Sequence, residues 1–71
     1  MSGFSREVMA ENLRALRARR RLSQREVARA IGVSEASIVN YENATSAPNY
    51  EVAWNLAALY GVSLDSLGRR E

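Results

Sequence analysis

The sequence predicts an all-α domain built from five short helices. Apolar residues recur at three- and four-residue spacing throughout, and no stretch alternates apolar and polar residues long enough to predict a strand. A small polar residue of the kind that caps helix N-termini precedes each helical stretch, and glycine follows three of them. The 71 residues suffice for one domain, which we expect to span 1–71 with its core at about 5–67.

The first two helices are delimited by their caps. The first is predicted from Arg6 to Arg20, after Ser5 as the N-cap. The second is predicted from Gln24 to Ile31, where Ser23 opens a capping box and Gly32 ends the helix in a left-handed conformation. The inward-facing apolar residues are Met9, Leu13 and Leu16 in the first helix and Val27, Ala28 and Ile31 in the second.

The remaining helices follow the same rules. Their predicted bodies and N-caps are 35–43 after Ser34, 50–60 after Asn49, and 64–67 after Ser63. In the third helix only Ile38 and Tyr41 are clearly apolar and inward-facing, and a loop follows over 43–48. Gly61 is expected to end the fourth helix, and Gly68 to Glu71 are expected to form a frayed tail.

Composition excludes several classes of protein. The absence of cysteine and histidine removes the usual zinc sites, thiol nucleophiles and histidine-based triads, and the acidic residues form no convincing catalytic pair. We therefore expect no enzyme activity, no metal, no cofactor and no evident small-molecule ligand. No apolar run is long enough for a membrane helix and no signal peptide is visible, so we expect a cytoplasmic protein without membrane association.

The basic residues are clustered rather than numerous. The net charge is only +2, but all ten basic residues are arginine, and seven of these lie between Arg14 and Arg29. Arginine binds phosphate in a planar, bidentate manner. The cluster overlaps the second helix, which Gly32 separates from the third by a very short connection. Two short helices joined in this way form a helix-turn-helix, whose second helix can enter the major groove of DNA.

The order of these motifs resembles that of Cro/C1 repressor-type (XRE family) helix-turn-helix domains. The matching residues are Leu22-Ser23-Gln24, Val27-Ala28, Ile31-Gly32-Val33-Ser34, Ser37-Ile38, Tyr41-Glu42-Asn43, Pro48 and Gly61-Val62-Ser63-Leu64. The resemblance covers about Met9 to Leu67 and implies a compact, lambda-repressor-like fold. It also implies sequence-specific binding to double-stranded DNA by a transcriptional regulator of prokaryotic or phage type, most often a repressor.

The resemblance assigns roles to individual positions. It implies contacts to base edges from Glu35, Ala36, Ser37 and Asn40. Around the helix pair, contacts to the DNA backbone are expected from Gln24, Arg20, Arg21, Arg25, Asn43, Thr45, Ser46 and Tyr50. Asparagine can pair with adenine, and alanine can contact the methyl group of thymine. The role of Glu35 stays open, because a carboxylate can accept from the amino group of cytosine or simply stabilise the helix N-terminus.

Two further positions concern the stability of the domain. The resemblance implies a structural ion pair between Arg17 and Glu42. The chain departs from the family at Ala44, where glycine is usual. Because alanine disfavours positive φ, we expect Asn43 to take the left-handed conformation instead.

The fourth helix is apolar on nearly all sides, and the family places Ala53, Leu56, Ala57 and Tyr60 in the core. Val52, Trp54 and Leu59 would then pack on the first or fifth helix or form a dimer contact. We expect a homodimer, because repressors of this type usually bind two half-sites. The main rival is a protein-binding module, antitoxin-like or adaptor, that uses the same fold, since fold does not fix function.

Overall fold

The computed structural model describes residues 5–70, which contain five α-helices. In chain order these are α1 (Arg6–Arg20), α2 (Gln24–Ile31), α3 (Glu35–Glu42), α4 (Tyr50–Tyr60) and α5 (Leu64–Leu67). The predicted all-α class is confirmed. The helix bounds differ from the prediction only at the end of α3, where Asn43 is the C-terminal cap rather than part of the helix body.

Each helix begins directly after the polar residue that the sequence predicts as its N-cap. The cap's side-chain oxygen accepts a hydrogen bond from the backbone N–H three residues later, which satisfies one of the free donors of the first turn. The five pairs are Ser5 with Val8, Ser23 with Glu26, Ser34 with Ser37, Asn49 with Val52, and Ser63 with Ser66. At α2 the Glu26 carboxylate also accepts from the Ser23 backbone N–H at 2.8 Å, which completes the capping box.

Left-handed residues end α1, α2 and α4. Gly32 and Gly61 end α2 and α4 with φ of +75° and +68°, as the sequence predicts. The sequence also predicts the last residue of α1, Arg20, but not the left-handed conformation of the capping residue Arg21, whose φ is +55°. Its conformation lets the Leu22 N–H reach the carbonyl of Arg17 at 3.3 Å, so the last turn of α1 keeps its hydrogen bonds.

The core lies between α1, α2, α4 and α5, with Ile38 contributed by α3. The four α4 residues that the family resemblance places in the core are all buried. Val52 and Leu59 are partly buried and pack against the core of the same chain. Trp54 stays 57% exposed. The buried cluster comprises Met9, Leu13, Val27, Ala28, Ile38, Ala53, Leu56, Ala57, Tyr60 and Leu67.

The C-terminal residues are tied to α1, so the expectation of a frayed tail is wrong for residues 68–70; Glu71 lies outside the described residues. The amide of Asn12 donates to the carbonyls of Leu67 at 2.8 Å and Arg69 at 3.0 Å. The guanidinium of Arg70 lies 3.4 Å from the Glu11 carboxylate. An asparagine side chain from another helix thus satisfies carbonyls that the short α5 leaves free.

Over residues 5–70, no helix is both long and apolar enough to cross a membrane. Within the same residues, no three acidic, histidine or cysteine side chains come together in a way that could hold a metal ion.

Candidate nucleic-acid interface

The α2–α3 pair presents α3 on the surface of the domain. Three residues, 32–34, separate the two helices, and the left-handed Gly32 turns the chain between them. A Cβ added at Gly32 would meet no atom within 4 Å, so the glycine is required by the backbone conformation and not by crowding. Burial of Ile38 on the inner side of α3 leaves its opposite side facing solvent.

The exposed side of α3 carries short side chains. Of the four residues predicted to contact bases, Glu35, Ala36 and Asn40 are exposed. Ser37 is half-buried, and its hydroxyl lies 2.9 Å from that of the N-cap Ser34. The structure therefore brings all four positions onto one helix, with three of them exposed. Short side chains let the backbone of α3 approach a groove about 12 Å wide.

An ion pair links the start of α3 to α2. The Arg25 Nε lies 3.4 Å from Glu35 Oε1, and both side chains are exposed. Arg25 was predicted to contact phosphate, and its position beside the open side of α3 is compatible with that role. In this pair the arginine also offsets the negative charge that Glu35 would bring to a DNA surface.

A buried carboxylate holds the other end of α3. Glu42 is only 2% exposed. Its two oxygens accept from Arg17 Nε at 2.8 Å and Arg17 Nη2 at 3.0 Å, and Gln24 Nε2 donates to Oε1 at 3.1 Å. This bidentate hydrogen bonding to Glu42 raises the pKa of Arg17 above its ordinary value, so the guanidinium stays charged. The structure thus joins the predicted partners Arg17 and Glu42 and adds Gln24 to them.

Neighbouring arginines extend this network. Arg17 Nη1 donates to the carbonyl of Leu22 at 2.9 Å, which fixes the connection between α1 and α2. Arg14 donates to the backbone carbonyl of Glu42 at the end of α3. The sequence analysis missed Arg14, although its position three residues before Arg17 places both on one side of α1.

The side chains predicted to contact the DNA backbone are not all free to reach it. Arg21, Asn43, Thr45 and Tyr50 are exposed, and Ser46 is half-buried. Gln24 is half-buried and its amide is engaged by Glu42. Arg20 donates to the Tyr60 carbonyl at 2.9 Å, at the end of α4, and so is not grouped with the residues on α3.

The prediction for the loop after α3 is wrong. Asn43 has φ of −99°, and Ala44 takes the left-handed conformation with φ of +61°. The hydrogen bonds give the reason: the Thr45 N–H reaches the Asn40 carbonyl at 2.9 Å, and the Ala44 N–H reaches that of Tyr41 at 3.4 Å. This pattern needs the left-handed residue two positions after the helix body, which is residue 44, whatever its side chain.

Comparison with known proteins agrees with this architecture. A helix-turn-helix family model matches residues 13–67. The phage CTXphi transcriptional repressor RstR of Vibrio cholerae is 38% identical over 60 residues, which cover 84% of this chain and 54% of the relative. The chain thus spans about half the length of the curated relative it matches.

Solved structures show the same arrangement. The P22 c2 repressor in complex with a synthetic operator is similar with a TM-score of 0.86 and 28% identity, covering 90% of this chain and 97% of the other. The clp gene regulator ClgR of Corynebacterium glutamicum matches with a TM-score of 0.80 and 26% identity, covering 87% and 66%. With most of its length matched, including both helices of the pair, the chain belongs to the Cro/C1-type helix-turn-helix family, as its sequence predicted.

Proposed function

We propose that this chain binds double-stranded DNA in a sequence-specific manner as a transcriptional regulator, acting as a homodimer in the cytoplasm. The observation that carries the proposal is the open side of α3. Glu35, Ala36 and Asn40 are exposed there, next to Arg25 on α2. A repressor role is supported by the named functions of RstR and the P22 c2 protein.

The proposed contacts divide into two kinds. Asn40 and Ala36 would meet base edges in the major groove, with Glu35 and Ser37 beside them at the start of α3. Arg25, Arg21 and the residues after α3 would meet phosphates, which positions the domain without specifying sequence. We place Gln24 and Arg20 in a supporting role, because their side chains already bond to Glu42 and to the end of α4.

Selection from a random duplex library at near-physiological salt tests the proposal. We expect a pseudo-palindrome whose half-sites lie about one helical turn, 10–10.5 base pairs, apart. Affinity should fall steeply with salt, because neutralised phosphates release counterions. Absence of enrichment together with salt-insensitive or absent binding would instead support a protein-binding module.

Variants separate the two kinds of contact. Asn40→Ala should relax the selected preference at one position, at a cost of about 1–3 kcal/mol. Arg25→Ala should weaken binding to all sequences alike and reduce the salt slope by about one. Arg69→Ala is the matched control, because it removes the same charge from the end of the chain, where Arg69 pairs with Asp65 at 2.6 Å. An unchanged motif with Asn40→Ala would remove that residue from base recognition.

A further inference from the structure

Two sides of α1 face different parts of the protein. Arg14 and Arg17 lie on one side, where they bond to Glu42 at the end of α3. The other side, about 180° around the helix axis, carries residues at three- and four-residue spacing. These residues are Asn12, Ala15, Leu16 and Arg19. They therefore face away from the contact that α1 makes with the end of α3.

A groove runs between this second side of α1 and α5, with a volume of about 300 Å³. Its other wall consists of Val62, Ser66 and Arg70. The amide of Asn12 donates to the carbonyl of Ser66 at 3.2 Å as well as to those of Leu67 and Arg69, which holds this wall against α1. The groove is therefore formed before any partner binds. We call its lining residues, Asn12, Ala15, Leu16, Arg19, Val62, Ser66 and Arg70, the α1–α5 groove.

The α1–α5 groove has an apolar middle and a positive charge toward each end. Leu16 and Val62 are half-buried, and Arg19 and Arg70 are the charged residues among its described lining residues. Arg70 lies beside Glu11, and positions 11 and 19 are about 12 Å apart along the axis of α1. Leu16 lies between these two positions, so apolar surface separates the two guanidinium groups.

Both arginines of the groove are accessible to a partner. Within residues 5–70, Arg19 takes part in no ion pair. Arg70 lies 3.4 Å from the Glu11 carboxylate, but these side chains are 68% and 53% exposed, and such pairs are weak. A carboxylate of a partner can therefore bind either guanidinium in a bidentate manner without breaking a buried contact.

The order of these groups indicates the chemistry of the partner. In an extended peptide, alternate side chains point to the same side, and positions i and i+4 are about 13 Å apart. An acidic, an apolar and an acidic residue at alternate positions therefore match the two arginines and the apolar surface between them. A DNA backbone would instead place charged phosphates against Leu16 and Val62. A second copy of this chain would bring its own arginines against these, and like charges repel.

We propose that the α1–α5 groove binds an extended acidic segment of another protein. An apolar side chain of the segment packs on Leu16 and Val62, and carboxylates on either side of it bind Arg19 and Arg70. The residues of the groove are not among those proposed to contact DNA. Because the groove also faces away from the end of α3, binding of the segment leaves α3 accessible. The site thus adds a protein partner to the proposed function and does not depend on it.

The small contact predicts weak binding. A groove of about 300 Å³ holds one apolar side chain and the ends of two acidic ones, which is far less than a standard protein interface buries. Exposed ion pairs contribute little each and weaken as salt rises. We therefore expect a Kd of about 0.1–1 mM at low salt.

A synthetic peptide with the central sequence Glu-Thr-Leu-Thr-Glu is the probe. It is titrated into the full chain without DNA to about 5 mM, several times the expected Kd, while nuclear magnetic resonance follows the backbone amides. We expect saturable shifts over residues 12–19 and 62–70, and none over 35–42 in α3. A peptide with Lys-Thr-Leu-Thr-Lys should not bind, and one with Glu-Thr-Ser-Thr-Glu should bind at least about threefold more weakly. Absence of shifts at the groove, or shifts confined to α2 and α3, would overturn the proposal.

Arginine variants test the contacts to the carboxylates. Arg19→Gln and Arg70→Gln should each weaken binding of the peptide about two- to fivefold, because each removes one exposed ion pair. Arg25→Gln is the matched control, since it removes the same charge from the exposed side of α2 and should leave the Kd unchanged. If only Arg25→Gln weakens binding, the peptide occupies the proposed DNA surface and the proposal is refuted.

Insertion of a negative charge gives a stronger test. Ala15→Glu places a carboxylate in the α1–α5 groove, whereas Ala58→Glu places one on α4, and both alanines are exposed. Ala15→Glu should weaken binding of the peptide at least about tenfold by repulsion, and Ala58→Glu should not change it. Circular dichroism verifies that both variants stay helical. Equal affinities of the two variants for the peptide would contradict the proposed position of the segment.

Binding of DNA and of the peptide can be separated. With the peptide at saturation, the affinity for a selected duplex should change by less than about twofold, because the two sites are distinct. Competition between the peptide and the duplex would place the peptide on the DNA surface and overturn the proposal. If no duplex binds, the proposed function fails, whereas the amide shifts still decide whether the groove binds an acidic segment.

Discussion

Removal of the Arg17 side chain tests how the buried Glu42 is stabilised. In Arg17→Met, Glu42 loses both hydrogen bonds from the guanidinium and keeps the one from Gln24 at 3.1 Å. The carboxylate is 2% exposed and cannot turn to water. Stranding one partner of a buried ion pair costs about 3–5 kcal/mol. A domain of this size has roughly 4–10 kcal/mol in total, so the variant should be close to unfolding.

The reverse substitution should cost less. In Glu42→Met the guanidinium of Arg17 is stranded, but its side chain is 23% exposed and it keeps the bond to the Leu22 carbonyl. We expect a loss of about 1–3 kcal/mol, since a partly exposed donor can recover hydrogen bonds from water. The double variant Arg17→Met/Glu42→Met should lose much less than the two single losses combined, because no buried charge is left alone.

Urea unfolding followed by circular dichroism measures these differences, with thermal unfolding as a second reading at about 4–8 °C per kcal/mol. The exposed pair Arg25 and Glu35 provides the control, since its loss should cost less than about 1 kcal/mol. The reasoning is refuted if Arg17→Met costs no more than Arg25→Met, or if the losses at Arg17 and Glu42 simply add.

Two further predictions concern single positions. Ala44→Gly should stabilise the domain by about 1 kcal/mol, because alanine is strained at φ of +61°; Ala47→Gly in the same loop should not, and equal thermal unfolding temperatures for both would contradict this. Burial, and secondly the charge of Glu42, raises the pKa of Tyr60 from its ordinary 10.0 to about 12. Between these values only the unfolded chain ionises this tyrosine, so stability present below pH 10.0 is lost as pH rises. Tyr60→Phe should flatten that fall in a series of thermal unfolding curves, and parallel pH slopes in the two proteins would refute the assignment.

The helix starts could be predicted from the sequence because they depend on contacts between neighbouring residues. Ser34 and Asn49 start helices because their own side chains accept backbone N–H groups three residues later. Such contacts need only neighbours in the chain, so helix starts follow from the sequence. The left-handed conformation was predicted at Asn43 instead of Ala44, because the prediction relied on the preferences of the two side chains. The hydrogen bonds that close the helix impose that conformation on residue 44.

The sequence pattern could not predict contacts between distant parts of the chain, because it describes only neighbouring residues. Asn12 bonds to carbonyls more than fifty residues away, and Arg20 bonds to the carbonyl of Tyr60. An arginine in a basic cluster looks the same in sequence whether it faces phosphate or a helix end. The structure separates them: Arg25 lies beside α3, and Arg20 is held at the end of α4.

The hydrogen bonds of Glu42 affect the orientation of α3 as well as the stability of the domain. A carboxylate at the end of α3 that bonds to Arg17 on α1 and to Gln24 on α2 accepts hydrogen bonds only in particular directions. Two packed methionines would bury similar volume without such directions. The Arg17→Met/Glu42→Met variant therefore separates the two roles. If it stays folded but selects a broader DNA motif, the polar network positions α3 for base recognition. If it selects the same motif, apolar packing around Ile38 alone is sufficient to set the angle of α3.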